Sequence, residues 1–305
     1  MRRLFVIGLT IVGVGIVFVL AQRSRTPAPV PAAQQGQTVH SAGLPEPLHI
    51  QFAAEIPEPN NPCSNLTVSQ DIQQKRQQIA QQARGAEQRA KALLAKVTLP
   101  LEIERGDPLQ KKVALTIDTG TGGAYGTEEL LLIAAHYKIP LTFFLTGCWV
   151  IENPELTQKI VQAGHTIANH SLTHVNLGKV PDEKARYEIS EADRIIKDVV
   201  GFSPVIFRKP HYAGGERITN MAGELGKVSV QGFPNFGDTA GWRTETTAQD
   251  VAERVVSQTA PGAVWVFHNL SPADLGAFED VVRFHLEEHY TLVTVEGLIF
   301  APHGY

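Results

Sequence analysis

The chain has 305 residues, 43% of them hydrophobic, which is enough apolar material for one large α/β domain with additional segments. Its formal charge of −4, from 27 basic and 31 acidic side chains, gives no reason to expect the basic face that nucleic acid selects. No internal repeats are present.

The chain begins "MRRLFVIGLTIVGVGIVFVLAQRSR", in which Arg2 and Arg3 precede an uncharged run over residues 4–21. At ~1.5 Å per residue that run spans roughly 27 Å, close to the ~30 Å hydrocarbon core of a bilayer. Two readings stand: an uncleaved membrane anchor, or a long signal peptide cut after Ala21. The anchor is preferred, and both place the bulk of the chain outside the cytoplasm. Residues 22–65 are rich in Pro, Ala and Gln and read as a linker without the apolar content to fold.

A long helix is expected over 68–97, in a helical extension covering 66–110. Ile72, Ile79, Ala83, Ala86, Ala90, Leu93 and Val97 form one narrow seam, which suits packing on the following domain better than a coiled coil. Cys63 and Cys148 are the two cysteines. In an exported chain they permit a disulfide, with two free thiols the alternative.

From residue 111 to 305, short β-branched or aromatic runs alternate with helical patterns. The strand runs are "VALTID", "LTFFLT", "HTIAN", "PVIFR", "KVSVQG", "AVWVFH" and "TLVTV". This alternation argues for α/β architecture with about seven parallel strands, as a barrel or a doubly wound sheet. Asp118, Arg208 and His268 fall at the C-terminal ends of expected strands, and His170 and His174 directly follow another. That edge is where parallel α/β folds build sites. The four-residue spacing of His170 and His174 can present two imidazoles to a divalent ion, although such pairs also serve backbone carbonyls.

Five segments together resemble the polysaccharide deacetylase (NodB homology) family, the carbohydrate esterases of family four: "TIDTG", "HSLTH", "FRKPHY", "DTAGW" and "VWVFH". They stand where the family carries T-F-D-D-G, H-[ST]-x-x-H, R-P-P-Y-G, D-[ST]-x-D-W and an apolar run ending in His. The resemblance spans roughly 111–300 and implies a deformed (β/α) barrel that hydrolyses N-acetyl groups of amino sugars with a divalent metal, most often zinc. Carried over position by position, it makes His170 and His174 metal ligands, Asp118 the general base and His268 the general acid. Arg208 would hold Asp118 ionised, and Asp238 would do the same for protonated His268. The backbone N–H at His211, or that of Tyr212, would bind the oxyanion. Trp242 and Val266 would line the acetyl pocket.

Thr119 departs from this pattern, because the family's third metal ligand, an Asp, belongs there. A neutral hydroxyl is a poor zinc ligand. The pair of histidines would then bind metal with water, recruit Glu128 or Asp118, or hold no metal and leave the domain a glycan-binding or scaffold protein. Gly241 replaces the second acidic residue of "DTAGW", a change expected to affect substrate contacts more than catalysis. The substrate expected from an envelope-anchored chain is peptidoglycan or an exopolysaccharide before chitin. His165 is expected to be structural.

Overall fold

The computed structural model describes residues 43–52, 67–121 and 123–299. The expected membrane segment, most of the expected linker and Cys63 lie outside the described residues. Among the described residues no helix is long and apolar enough to cross a membrane.

The described residues form eight strands: β1 (Glu102–Ile103), β2 (Lys112–Asp118), β3 (Thr142–Leu145), β4 (Thr166–Asn169), β5 (Ile206–Phe207), β6 (Val228–Val230), β7 (Val264–His268) and β8 (Thr291–Leu292). The helices are α1 (Gln70–Lys75), α2 (Ala80–Leu94), α3 (Thr127–Tyr137), α4 (Gly147–Glu152), α5 (Pro154–Gln162), α6 (Asp182–Val200), α7 (Gly215–Glu224), α8 (Ala248–Gln258), α9 (Pro272–Glu287) and α10 (Val295–Ile299). All seven expected strands form. β1 is the addition, a two-residue strand too short to show as a run.

Every strand pairing is parallel, and the order is β1-β6-β5-β4-β3-β2-β7, with β8 beside β2. The apolar runs become strands buried on both faces because a period of two divides their side chains. In β2, Val113, Leu115 and Ile117 join the larger core under the helices, while Ala114 joins a second cluster on the sheet's other face. Phe143 against Phe144, and Trp265 against Val264, divide in the same way. The sheet curls, and the chain after β6 closes against β7. There Phe233 and Val264 exchange two backbone hydrogen bonds of 3.0 Å, and Asp238 bridges beside Val266. The curled half-barrel of parallel strands is therefore met at β7 by a loop rather than a strand.

The expected helix over 68–97 is interrupted. A 3₁₀ turn, Arg76–Ile79, separates α1 from α2. Its seam nevertheless packs on the domain: Ile72, Ile79, Ala86, Ala90 and Leu93 are buried, and Gln158 of α5 donates to the Ile72 carbonyl at 3.1 Å. Part of the expected linker also folds. Leu48 and His49 donate their N–H groups to the Glu279 carboxylate at 2.6 and 3.0 Å, and Ile50 and Phe52 pack on the core. Two apolar side chains and one carboxylate acting as a backbone cap hold a segment that composition alone reads as a tether. Cys148, buried in α4, is disulfide-bonded.

Candidate active site

The C-terminal edge of the sheet gathers the expected residues. Asp118 ends β2 and His268 ends β7, and the two are direct neighbours in register. His170 follows β4, and Arg208 follows β5. Parallel strands aim their last residues at one rim, so four segments distant in sequence meet there.

Arg208 is fully buried and organises the floor of the site. Its Nη1 donates to Asp118 Oδ1 at 2.5 Å and to Thr116 Oγ1 at 2.8 Å, and its guanidinium lies 3.8 Å from the centre of the Phe144 ring. A buried cation is tolerable only when paired and hydrogen-bonded, and here the carboxylate it pairs with is Asp118. Burial alone would push the Asp118 carboxyl upward. The charge and hydrogen bond of Arg208, with the charge of His268, overcome this and hold it below the usual carboxylate value.

His170 is oriented from behind. Its Nδ1 lies 3.0 Å from the Arg208 carbonyl, so Nδ1 donates and Nε2 keeps a lone pair. That Nε2 is 3.5 Å from Asp118 Oδ2. The His174 ring lies 4.9 Å from the His170 ring, and the His211 ring 4.6 Å from the His174 ring. Burial lowers the pKa of both His170 and His174, the latter to about 3, so both are neutral imidazoles with electron pairs to give.

Two positive-φ residues, Ser171 (65°) and His174 (59°), shape this loop. Buried Glu188 of α6 fastens it: one carboxylate oxygen accepts from the Leu172 and Thr173 N–H groups at 3.1 and 2.8 Å, the other from the Thr173 hydroxyl at 2.8 Å. Sequence reasoning missed Glu188, which reads as one more polar residue in an amphipathic helix.

The Thr119 hydroxyl is hydrogen-bonded at the end of β3. It accepts from the Thr146 N–H at 3.1 Å and points its proton toward the Phe144 carbonyl at 3.4 Å. Glu128 forms an exposed ion pair with Lys159 at 2.5 Å. Among the described residues no group of three His, Cys, Asp or Glu side chains is arranged to hold a metal ion. The donor set is nonetheless suited to a borderline ion such as zinc: two neutral imidazoles, one tautomer fixed by a carbonyl, beside an ionised carboxylate.

One expected pairing is corrected. His268 is held by Asp274 of α9, not by Asp238: its Nδ1 and its backbone N–H lie 2.9 and 2.8 Å from Asp274 Oδ2. Burial opposes the imidazolium, but the hydrogen bond and charge of Asp274 raise the His268 pKa above its ordinary value, with Asp118 and Asp238 assisting through charge. Asp238 accepts instead from the Ala240 N–H at 2.7 Å and from Trp242 Nε1 at 3.1 Å, so its main contact is with the loop and the indole. Trp242 is 56% exposed and stands at the rim of the cleft formed with Asp118, His174, His268 and Asn269. Val266 is fully buried one layer beneath His268 on the same strand face.

The turn after Arg208 places His211 and Tyr212 at φ 56° and 51°. The Tyr212 N–H is bound to the Lys209 carbonyl at 3.1 Å, whereas no described carbonyl accepts from the His211 N–H. The latter is the amide left for a ligand.

Residues 105–230 match the model of the family described as polysaccharide deacetylase. The peptidoglycan-N-acetylmuramic acid deacetylase PdaC of Bacillus subtilis is 27% identical over 202 residues, covering 66% of this chain and 41% of its own. The peptidoglycan-N-acetylglucosamine deacetylase PgdA of Listeria monocytogenes is 26% identical over 188 residues, covering 62% and 39%. The matched part is thus less than half the length of these two relatives. Among solved structures, a CE4 family pseudoenzyme from Bacillus anthracis superposes with a TM-score of 0.60 at 26% identity, over 66% of this chain and 69% of its own. A mutant of the same protein, described as having restored enzymatic activity, matches equally well at 27% identity.

Proposed function

We propose that the chain is a member of the polysaccharide deacetylase family, whose model matches residues 105–230, and that it hydrolyses the N-acetyl groups of amino sugars in peptidoglycan. The observation that carries this reading is the pair at the ends of β2 and β7: a carboxylate kept ionised by Arg208 beside an imidazole kept protonated by Asp274. Amide hydrolysis needs a base and an acid in opposite protonation states at one pH, and two separate charge partners supply them.

The chain's own residues divide the work. Asp118 accepts a proton from the attacking water. His268 donates one to the departing amine nitrogen, so the amine leaves neutral. The His211 N–H donates to the oxygen on which negative charge develops. Trp242, exposed at the rim, presents an aromatic face to the sugar. His170 and His174 would hold a divalent ion, probed as zinc, which when bound lowers the pKa of water and polarises the acetyl carbonyl. We further propose that the chain works outside the cytoplasm, tethered by residues 4–21.

Acetate release from purified peptidoglycan tests the activity, with chitin oligomers as the comparison. Asp118→Asn is expected to abolish release while zinc at the histidine pair persists. Loss of the metal together with the activity would make Asp118 a ligand and remove it as the base. A second reading, glycan binding without cleavage, is favoured by the Thr119 hydroxyl being committed to Thr146 and Phe144 and by the pseudoenzyme's likeness. Retention on insoluble peptidoglycan with no acetate released under added zinc or cobalt would select it.

A further inference from the structure

Asp274 is fully buried in the first turn of α9, and sequence reading gave it no role. Its carboxylate is fully engaged. Oδ2 accepts from the backbone N–H and Nδ1 of His268, and Oδ1 lies 2.5 Å from the Thr239 hydroxyl. Its own N–H donates to Ser271 Oγ at 3.0 Å, which locks the turn, and its position in the first turn of a helix favours negative charge.

Gly241 lies against this carboxylate. A Cβ at position 241 would stand 2.1 Å from Asp274 Oδ1, 2.4 Å from its Cγ and 2.8 Å from Ser271 Oγ. No side chain fits there while Asp274 holds His268. Position 241 is also where "DTAGW" lacks the second acidic residue of the pattern D-[ST]-x-D-W. The missing carboxylate and the unexpected one therefore compete for one space.

We propose that Asp274 and Gly241 are a single exchanged unit: the carboxylate that positions His268 is delivered from α9, and the glycine is the vacancy that admits it. Asp274 is a positioning residue, acting through His268 and touching neither substrate nor metal. Its catalytic consequence rests on the hydrolase reading, while its steric and hydrogen-bonding consequences do not.

Three measurements test the unit. In acetate release, Asp274→Asn is expected to lower kcat by about 10²–10⁴-fold, the range of acid–base catalysis, with KM within about threefold. Gly241→Asp combined with Asp274→Ala moves the carboxylate to the other side of the same space, and should recover at least about tenfold in kcat over Gly241→Ala combined with Asp274→Ala. In thermal melts, Gly241→Ala should destabilise the wild-type background and be close to neutral beside Asp274→Ala. In 15N-edited spectra of histidine-labelled protein, assigned with His268→Gln, the Nδ1 proton of His268 should be protected from exchange and lose that protection in Asp274→Ala. Additive melts, or an Nδ1 proton indifferent to Asp274, would overturn the proposal even in a protein that releases no acetate. Absence of acetate release in the wild type, with the coupling and the protected proton both present, would instead count against the hydrolase reading alone.

Discussion

Asp118 and His268 sit side by side on neighbouring strands yet must carry opposite protonation states, and their partners set the pH window for activity. The Asp118 carboxyl is held below its ordinary value of 3.8, so the base stays ionised well into acid. The His268 imidazole is held above 6.5, so the acid stays protonated to higher pH than a free imidazole and is lost as pH rises through the raised value. The profile of kcat/KM should accordingly fall on its alkaline side with a midpoint above 6.5. Asp238→Asn should move that limb only slightly, because its carboxylate is bonded to Ala240 and Trp242 rather than to His268. An alkaline limb displaced as far by Asp238→Asn as by Asp274→Asn would contradict the pairing. Thr119 makes the second prediction at this scale. Its hydroxyl serves the turn at Thr146, so the histidine pair receives no anionic oxygen from position 119. Thr119→Asp supplies one, and zinc affinity by calorimetry should rise at least about tenfold, the low end for changes around a metal site. An affinity equal to that of the wild type would mean that the two rings do not form the site.

At the scale of elements, the loop after β4 depends on α6 for its shape. Ser171 and His174 adopt left-handed backbone angles that a free chain seldom holds. Glu188 holds them by three hydrogen bonds from the loop, with Lys184 balancing its charge at 3.0 Å. Removing this carboxylate leaves one buried and one part-buried amide without acceptors. Glu188→Ala should cost about 2–4 kcal/mol in denaturant unfolding and weaken zinc binding by about 10–100-fold. Glu188→Gln, which keeps one acceptor oxygen, should fall between. A fully stable Glu188→Ala protein with unchanged zinc binding would show that the loop holds its geometry without α6.

Across the whole molecule, legibility followed the length and periodicity of each signal. β2 to β8 were readable because β-branched and aromatic runs end at polar residues on one edge, and the helical patterns between them formed as α3, α5, α6, α8 and α9. β1 has two residues and α4 has six, too few to offer a period to count, and α7 follows a glycine cap with only a short apolar face at Ile218, Met221 and Ala222. The site was legible wherever a residue ends a strand: Asp118, Arg208 and His268. It was opaque where a carboxylate arrives from a helix. Asp274 and Glu188 look like ordinary polar positions in amphipathic segments, and only the tertiary fold turns them inward. The one available signal was Gly241, a missing acid whose replacement had to come from somewhere.

Buried imidazoles away from the catalytic pair carry a consequence for the entire fold. His165 accepts the Leu141 N–H on Nδ1 at 3.1 Å, and His285 is fixed between the Val281 carbonyl and the Thr259 hydroxyl. Burial lowers both pKa values from 6.5 to about 4. Below pH 6.5 the unfolded chain binds protons that the folded one refuses, so stability is full above that pH and declines as pH falls toward 4. At 1.36 kcal/mol per pH unit, each group accounts for on the order of 3 kcal/mol over that interval. His165→Asn keeps an acceptor for Leu141 without the titrating ring. Urea midpoints measured from pH 7 to pH 4 should fall less steeply in this variant than in the wild type, and His165→Asn with His285→Gln should be flatter still. Superimposable declines in all three proteins would place the acid sensitivity elsewhere.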